Sequence, residues 1–289
     1  MEIRVDPQQL RRNLQAIVGE RSPFSGQRHL AEVESFIEKE LASYSLAVES
    51  DTFSYRGKNF RNIVGRLSAQ RGASLIILGA HFDSVEGTPG ADDNASGLAV
   101  LLEAARLLSR ARLRSELLFC AFNLEELNMI GSSYLAKKLK SAGAKVDAMI
   151  SLEMVGYTDL NSGSQKYPFG LKAFYPERGD FIGVIGNWNS ASLLRTVARQ
   201  MRHVQGFPVE TLSVPGNGGL IPAVRLSDHS PFWDAGYPAL MITDTSFYRN
   251  PHYHQPTDTP DTLDYPFLAR VTAGVCAAIA RLLAGGLPK

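Results

Sequence analysis

The chain has 289 residues, 44% hydrophobic and 20% charged, with a net charge of +1. That is apolar enough to build one large α/β core and excludes a disordered chain. Lys and Arg are scattered without a basic tract, so nucleic acid is not an expected partner. No apolar run is expected to reach the roughly 20 residues of a membrane span, and the N-terminus lacks the shape of a leader. The expectation is a cytoplasmic protein with no membrane partner; oligomeric state is not legible.

In chain order, residues 7–19 and 27–44 carry amphipathic helical spacing, separated by "RSPFSG", where Pro and Gly break the pattern. "LAVESDTFSY", "RNIVGRL" and "SLIILGAH" read as strands. "ASGLAVLLEAARLLSR" is a strong helix with a small-residue start, and "SELLFCAFN" a buried strand. "GSSYLAKKLK" reads as a helix and "DAMISLEMV" as another buried strand, followed by a long loop over residues 158–180. "DFIGVIG", the helix "NSASLLRTVARQM", "PVETLSV" and "YPALMIT" follow, and residues 263–284 form a closing helix. Cys120 and Cys276 each sit in an apolar pattern and are expected to be reduced core residues. Strands alternating with helices predict a three-layer αβα sandwich around a mixed, largely parallel sheet, and one domain over 1–289.

The polar residues at the strand ends are the informative feature. "LIILGAH" runs into His81 and Asp83, "LLFCAFN" into Glu125 and Glu126, and "AMIS" into Glu153. "ALMIT" runs into Asp244, with His252 and His254 in the following loop. Ligand sites of open α/β sheets form at the carboxyl ends of strands. Each residue also has a plain reading. A lone His at a strand end is more often a hydrogen-bonded structural residue. Asp92, Asp93 and Asn94 of "ADDNASG" could cap the following helix; capping accounts comfortably for one of the three. Glu125-Glu126 places two anions together, which repel unless a cation or proton intervenes. Glu153 between apolar neighbours needs a partner, metal or basic side chain.

Oxygen and imidazole donors without a thiolate cluster suit a catalytic zinc site with an open position. Two His and three carboxylates over-supply one ion. Two ions sharing a carboxylate would each receive three protein ligands, an arrangement suited to hydrolysis.

The ordered motifs "HFDSVEGTPGADDNASG", "NLEELNMIGSSYLA", "SLEMVGY", "LSDHSPFWDAGYPALMITDT" and "YHQPTDTPDTLDY" resemble the zinc aminopeptidase group, family 28 of the metallopeptidases in clan MH. The resemblance runs from about residue 60 to 284 and implies that group's αβα fold. It implies His81 and Glu153 on one zinc, Glu126 and His254 on a second, and Asp93 bridging them. It further implies Glu125 as general base and Asp83 as the acid behind His81. The family often has Asp where this chain has Glu153. Tyr253, ahead of His254, resembles a tyrosine that steadies the oxyanion in some members. Asp228-His229 opens a short helix and is expected to be structural or to support the site, and His252 to be a loop residue. The implied activity is a zinc-dependent exopeptidase acting on the N-terminal residues of peptides with two Zn2+ per chain. The alternatives are a single-zinc acyltransferase like glutaminyl cyclase and a non-catalytic binding domain on the same scaffold. The second is disfavoured because all five ligand positions and the base are filled.

Overall fold

The computed structural model describes residues 3–69, 73–111 and 113–285. Its eight strands form one sheet: β1 (Ala47–Tyr55), β2 (Lys58–Leu67), β3 (Leu75–His81), β4 (Glu116–Phe122), β5 (Val146–Glu153), β6 (Ile182–Asn187), β7 (Val209–Val214) and β8 (Ala239–Thr243). The order across the sheet is β1-β2-β4-β3-β5-β8-β6-β7. The central four strands are mutually parallel. The β1–β2 hairpin, β2 against β4, and β6 against β8 are antiparallel.

All seven residues of β3 are buried, which matches the unbroken apolar run of a strand covered on both faces. Among the described residues the α-helices are α1 (Pro7–Ile17), α2 (Gln27–Ser43), α3 (Gly97–Leu108), α4 (Ile130–Ser141), α5 (Ala191–Met201), the short α6 (Ser230–Asp234) and α7 (Tyr265–Gly285), each at a segment where the sequence predicts a helix. In α1, Asp6 caps the Gln8 N–H and Pro7 fits the first turn, where no N–H is needed. Its buried Leu10, Leu14 and Ile17 fall at helical spacing. One core packs α1, α2, α3, α5 and α7 on one face of the sheet. The other face holds a smaller core under α4 and α6.

By length and hydropathy α7 would suffice to cross a bilayer, which corrects the expectation that no segment approaches that length. Its apolar residues are buried against α1, α3 and α5. Cys120 and Cys276 are free and buried.

Candidate metal centre

Register places the first two site residues. Gly79 of β3 pairs with Ser151 of β5, and His81 and Glu153 lie two residues beyond that pair. On neighbouring parallel strands they therefore stand level and on the same face. The turn after β4 brings Glu125 and Glu126, and "ADD" enters just before α3. Non-glycine residues adjoin these ligand segments in the left-handed region: Leu124 at φ 58°, Met154 at φ 46° and His254 itself at φ 56°. Such backbone is tolerated where the surroundings fix it, and it clusters at functional sites.

The side chains converge in two triads sharing one residue. Donor atoms of His81, Asp93 and Glu153 lie within 4.8 Å of one another, and so do those of Asp93, Glu126 and His254. His81 Nε2 is 3.3 Å from Asp93 Oδ1 and 3.7 Å from Glu153 Oε2. His254 Nε2 is 3.1 Å from Asp93 Oδ2 and 3.3 Å from Glu126 Oε2. Each oxygen of Asp93 thus faces a different imidazole. Despite these approaches, His81 Nε2, His254 Nε2, Glu126 Oε1 and Glu153 Oε2 are buried without an aligned hydrogen bond. Buried polar atoms are rarely left so. Close approach without alignment, in a donor set of imidazole and carboxylate, fits zinc.

Electrostatics makes the same demand for positive charge. Burial opposes charging of His81, yet Glu153, Glu125, Asp83 and Asp93 raise its pKa well above 6.5. His254, against the same opposition from burial, is raised to about 10 by Asp93 and Glu126. Burial pushes Glu126 up to about 7, with Asp93 adding to it. Asp93 is held well below the usual carboxylate range: burial acts against this, and the two imidazoles overcome it. Without a cation the cluster draws protons onto both rings.

Glu125 belongs to neither triad. Its Oε2 is 3.9 Å from His81 Nε2, and burial raises its carboxyl well above the ordinary value; His81 opposes this while Glu153 and Asp228 add to it. Asp83 holds the paired glutamates in place: its carboxylate accepts the N–H of Glu125 at 3.0 Å and of Glu126 at 3.2 Å. The backbone carbonyl of Asp83 is the nearer partner of His81 Nδ1, at 3.1 Å, with carboxylate Oδ1 at 3.6 Å. Asp83 therefore fixes both the ring tautomer and the glutamate turn.

The acids of "ADDN" divide the work. Asp92 accepts from Gly156 N and Asn250 Nδ2. Asn94 Oδ1 accepts from Gly97 N, as a helix cap does, and from Met154 N. Asp93 is left for the site. Asp258 clamps the turn by accepting the N–H of Asp92 and Asp93, at 2.9 and 3.1 Å. Asp244 stays outside the triads, receiving Tyr157 N and Ser246 N. His252 bonds Thr257 Oγ1 in its loop. Tyr253 stacks on the His254 ring, centroids 3.7 Å apart, and lines the adjoining cavity. Asp228 and His229 are buried and do not line that cavity; the Asp228 charge acts on His81 and Glu153.

Beneath the site lies a residue sequence reasoning missed. Arg21 is fully buried and donates to five backbone carbonyls: Ile17, Gly19, Phe82, Pro89 and Gly90. It ties the end of α1 to the loop that leads into "ADD". A Cβ at Gly90 would meet Asp93 O at 2.3 Å and Arg21 Nη2 at 2.6 Å, so only glycine fits there. Nothing in the pattern around Arg21 signals burial. Asp258 lies inside the "YHQPTDTPDTLDY" segment, where the sequence reading gave a role to His254 and none to Asp258.

A cavity of about 370 Å³ opens beside the triads. Tyr167 and Tyr175 of the long loop line it, whereas Phe169 and Phe174 of that loop are exposed and do not. The two tyrosines also stack on each other, centroids 5.7 Å apart, so the loop packs locally and walls the cavity at once.

The sequence profile of Peptidase family M28 matches residues 62–279. The uncharacterised protein YfbL of Escherichia coli K12 is 39% identical over 251 residues, covering 83% of this chain and 76% of that protein. Curated fungal relatives described as a probable zinc metalloprotease and a probable leucine aminopeptidase also match, and the chain spans about half their length. Among solved structures, the LapA aminopeptidase of Legionella pneumophila superposes with a TM-score of 0.76 at 21% identity, over 96% of this chain and 71% of that one. The glutaminyl cyclase of Porphyromonas gingivalis superposes at 0.71 and 20% identity, over 96% and 98%. At these identities both superpositions establish the αβα fold alone.

Proposed function

The chain belongs to peptidase family M28, and on that premise we propose that it is a zinc-dependent aminopeptidase acting on peptides, with two ions per chain. The observation that carries this reading is the pair of triads built on Asp93, with Glu125 left over beside them. His81, Asp93 and Glu153 would hold one ion, and Asp93, Glu126 and His254 the other. Zinc so held supplies Lewis acidity, polarising a carbonyl oxygen and acidifying water.

The chain's own residues do the rest. Glu125, in the cavity wall and free of either triad, takes the proton of the attacking water and returns it to the leaving amine. Its burial in the cavity wall keeps bulk water from competing for that proton. Asp83 keeps Glu125 and Glu126 in register through their backbone N–H groups. Tyr253, kept protonated by burial, presents its phenol as a donor to a developing oxyanion. Glu153 fills a position where shorter Asp is frequent in the family, and its Oε2 reaches within 3.7 Å of His81 Nε2.

A single-zinc cyclase would use one triad and leave the other buried and unsatisfied; the second triad therefore favours the hydrolase. The test is release of nitroaniline from aminoacyl-p-nitroanilides, set against cyclisation of N-terminal glutaminyl peptides. Anilide hydrolysis lost on chelation and restored by zinc supports the proposal. Pyroglutamate formation without anilide hydrolysis overturns it.

A further inference from the structure

The cavity beside the triads has a floor that can be read from strand register. Glu153 of β5 pairs with Thr243 of β8, Thr243 with Gly183 of β6, and Gly183 with Glu210 of β7. One row of residues therefore crosses four strands from a proposed zinc ligand to a second carboxylate, and all four residues line the cavity. Three inter-strand steps separate the two glutamates, a span of about 14 Å between backbones. The adjacent row, Met241, Ile185 and Leu212, is apolar and also lines the cavity.

Gly183 stands between Thr243 and Glu210 in the first row. The nearest atoms to a Cβ there would be the Thr243 carbonyl oxygen at 3.3 Å and methyls of Thr243 and Thr245, each at 3.8 Å. Its missing side chain leaves the path towards Glu210 open. Glu210 is half-buried and makes no hydrogen bond or ion pair among the described residues. Its phenolic neighbours are occupied elsewhere: Tyr175 donates to Thr211 O at 2.8 Å, and Tyr167 to Pro176 O. The Glu210 charge reaches both rings: it adds to burial in raising Tyr175, and in Tyr167, where Arg249 opposes, it contributes again. Lys166 lies exposed on the cavity lining and does not pair with Glu210. The far end of the cavity thus holds a carboxylate side chain without a paired partner among the described residues, approached over an apolar floor.

We propose that this cavity selects peptides whose N-terminal residue is Arg or Lys, the alkyl stem lying on Met241, Ile185 and Leu212 and the cation meeting Glu210. The assignment rests on the aminopeptidase reading and adds its substrate class. A stem of three or four methylenes is what an apolar row demands, and only a long side chain spans from the reacting end to Glu210. A carboxylate in an apolar wall discriminates strongly, because an uncharged side chain leaves it desolvated and unpaired.

The test measures kcat and KM for arginyl-, lysyl- and leucyl-p-nitroanilide with the zinc-loaded enzyme, its Glu210→Gln variant and its Glu210→Asp variant. In the wild type, kcat/KM for the arginyl and lysyl substrates is expected to exceed that for the leucyl substrate by about tenfold or more. Glu210→Gln should bring that ratio close to one, mainly through KM, with Glu210→Asp between. Calorimetric titration of L-arginine and L-leucine reads the same preference without turnover. A wild type that prefers the leucyl substrate, or a ratio untouched by Glu210→Gln, overturns the inference while leaving the aminopeptidase reading intact. Hydrolysis of none of the anilides, with arginine binding that Glu210→Gln weakens, overturns the aminopeptidase reading and supports the cavity assignment.

Discussion

Arg21 and the triad of His81, Asp93 and Glu153 are charged, buried and close enough to feel each other, yet they are built differently. Arg21 has five hydrogen bonds, all to backbone carbonyls with fixed positions. Burial lowers its pKa to about 10, with Asp93 and Asp83 holding it up, so it stays charged at neutral pH. In the triad, His81 Nε2 and Glu153 Oε2 approach other polar atoms and align with none. Burial is common to both, and satisfaction separates them. A buried charge with every partner supplied by the chain is a structural knot; buried donors that converge without pairing describe a ligand.

Glu125→Gln removes the proposed base and no triad member, so kcat should fall by about 10²–10⁴-fold, with zinc content per chain unchanged; near-native turnover would remove Glu125 from the mechanism. Arg21→Met leaves five carbonyls unpaired and should lower unfolding stability by about 3–5 kcal/mol, measured by denaturant titration. A change under 1 kcal/mol would mean the knot is not structural.

His229 sharpens the contrast as a second fully buried imidazole. Its Nε2 donates to Val224 O at 2.8 Å and its ring meets Trp233 edge-on. With no carboxylate paired to it, burial lowers its pKa from 6.5 to about 3, the reverse of His81. The unfolded chain therefore takes up this proton first as pH falls. The stability His229 contributes is complete above about pH 6.5 and declines towards pH 3, with about 2 kcal/mol lost by pH 5. His229→Gln should flatten that limb of the stability–pH curve relative to wild type, and an unchanged curve would show that His229 binds its proton alike in the folded and unfolded chain.

Sequence alone reveals most of the sheet, because unbroken apolar runs such as Leu75–Leu78 have few other physical uses. It also reveals the donors, since His81, Glu126 and Glu153 each end such a run. What it lacks is distance. Nothing local separates Asp92, Asp93 and Asn94; their roles follow from Gly156, Asn250 and Asp258, far away in the chain. Arg21 looks like a surface arginine until the loop from Phe82 to Gly90 folds around it. The apolarity of α7 reflects burial on several sides, and hydropathy alone does not distinguish that from a bilayer span.

The unsatisfied atoms around Asp93 suit a pair of ions rather than one. Elemental analysis of protein purified without added metal and then equilibrated with limiting to excess zinc tests it most directly. Uptake is expected to saturate at about two zinc ions per chain, and at one or fewer when Asp93 is replaced by Ala. Saturation at one ion in the wild type, or retention of two by Asp93→Ala, would contradict it.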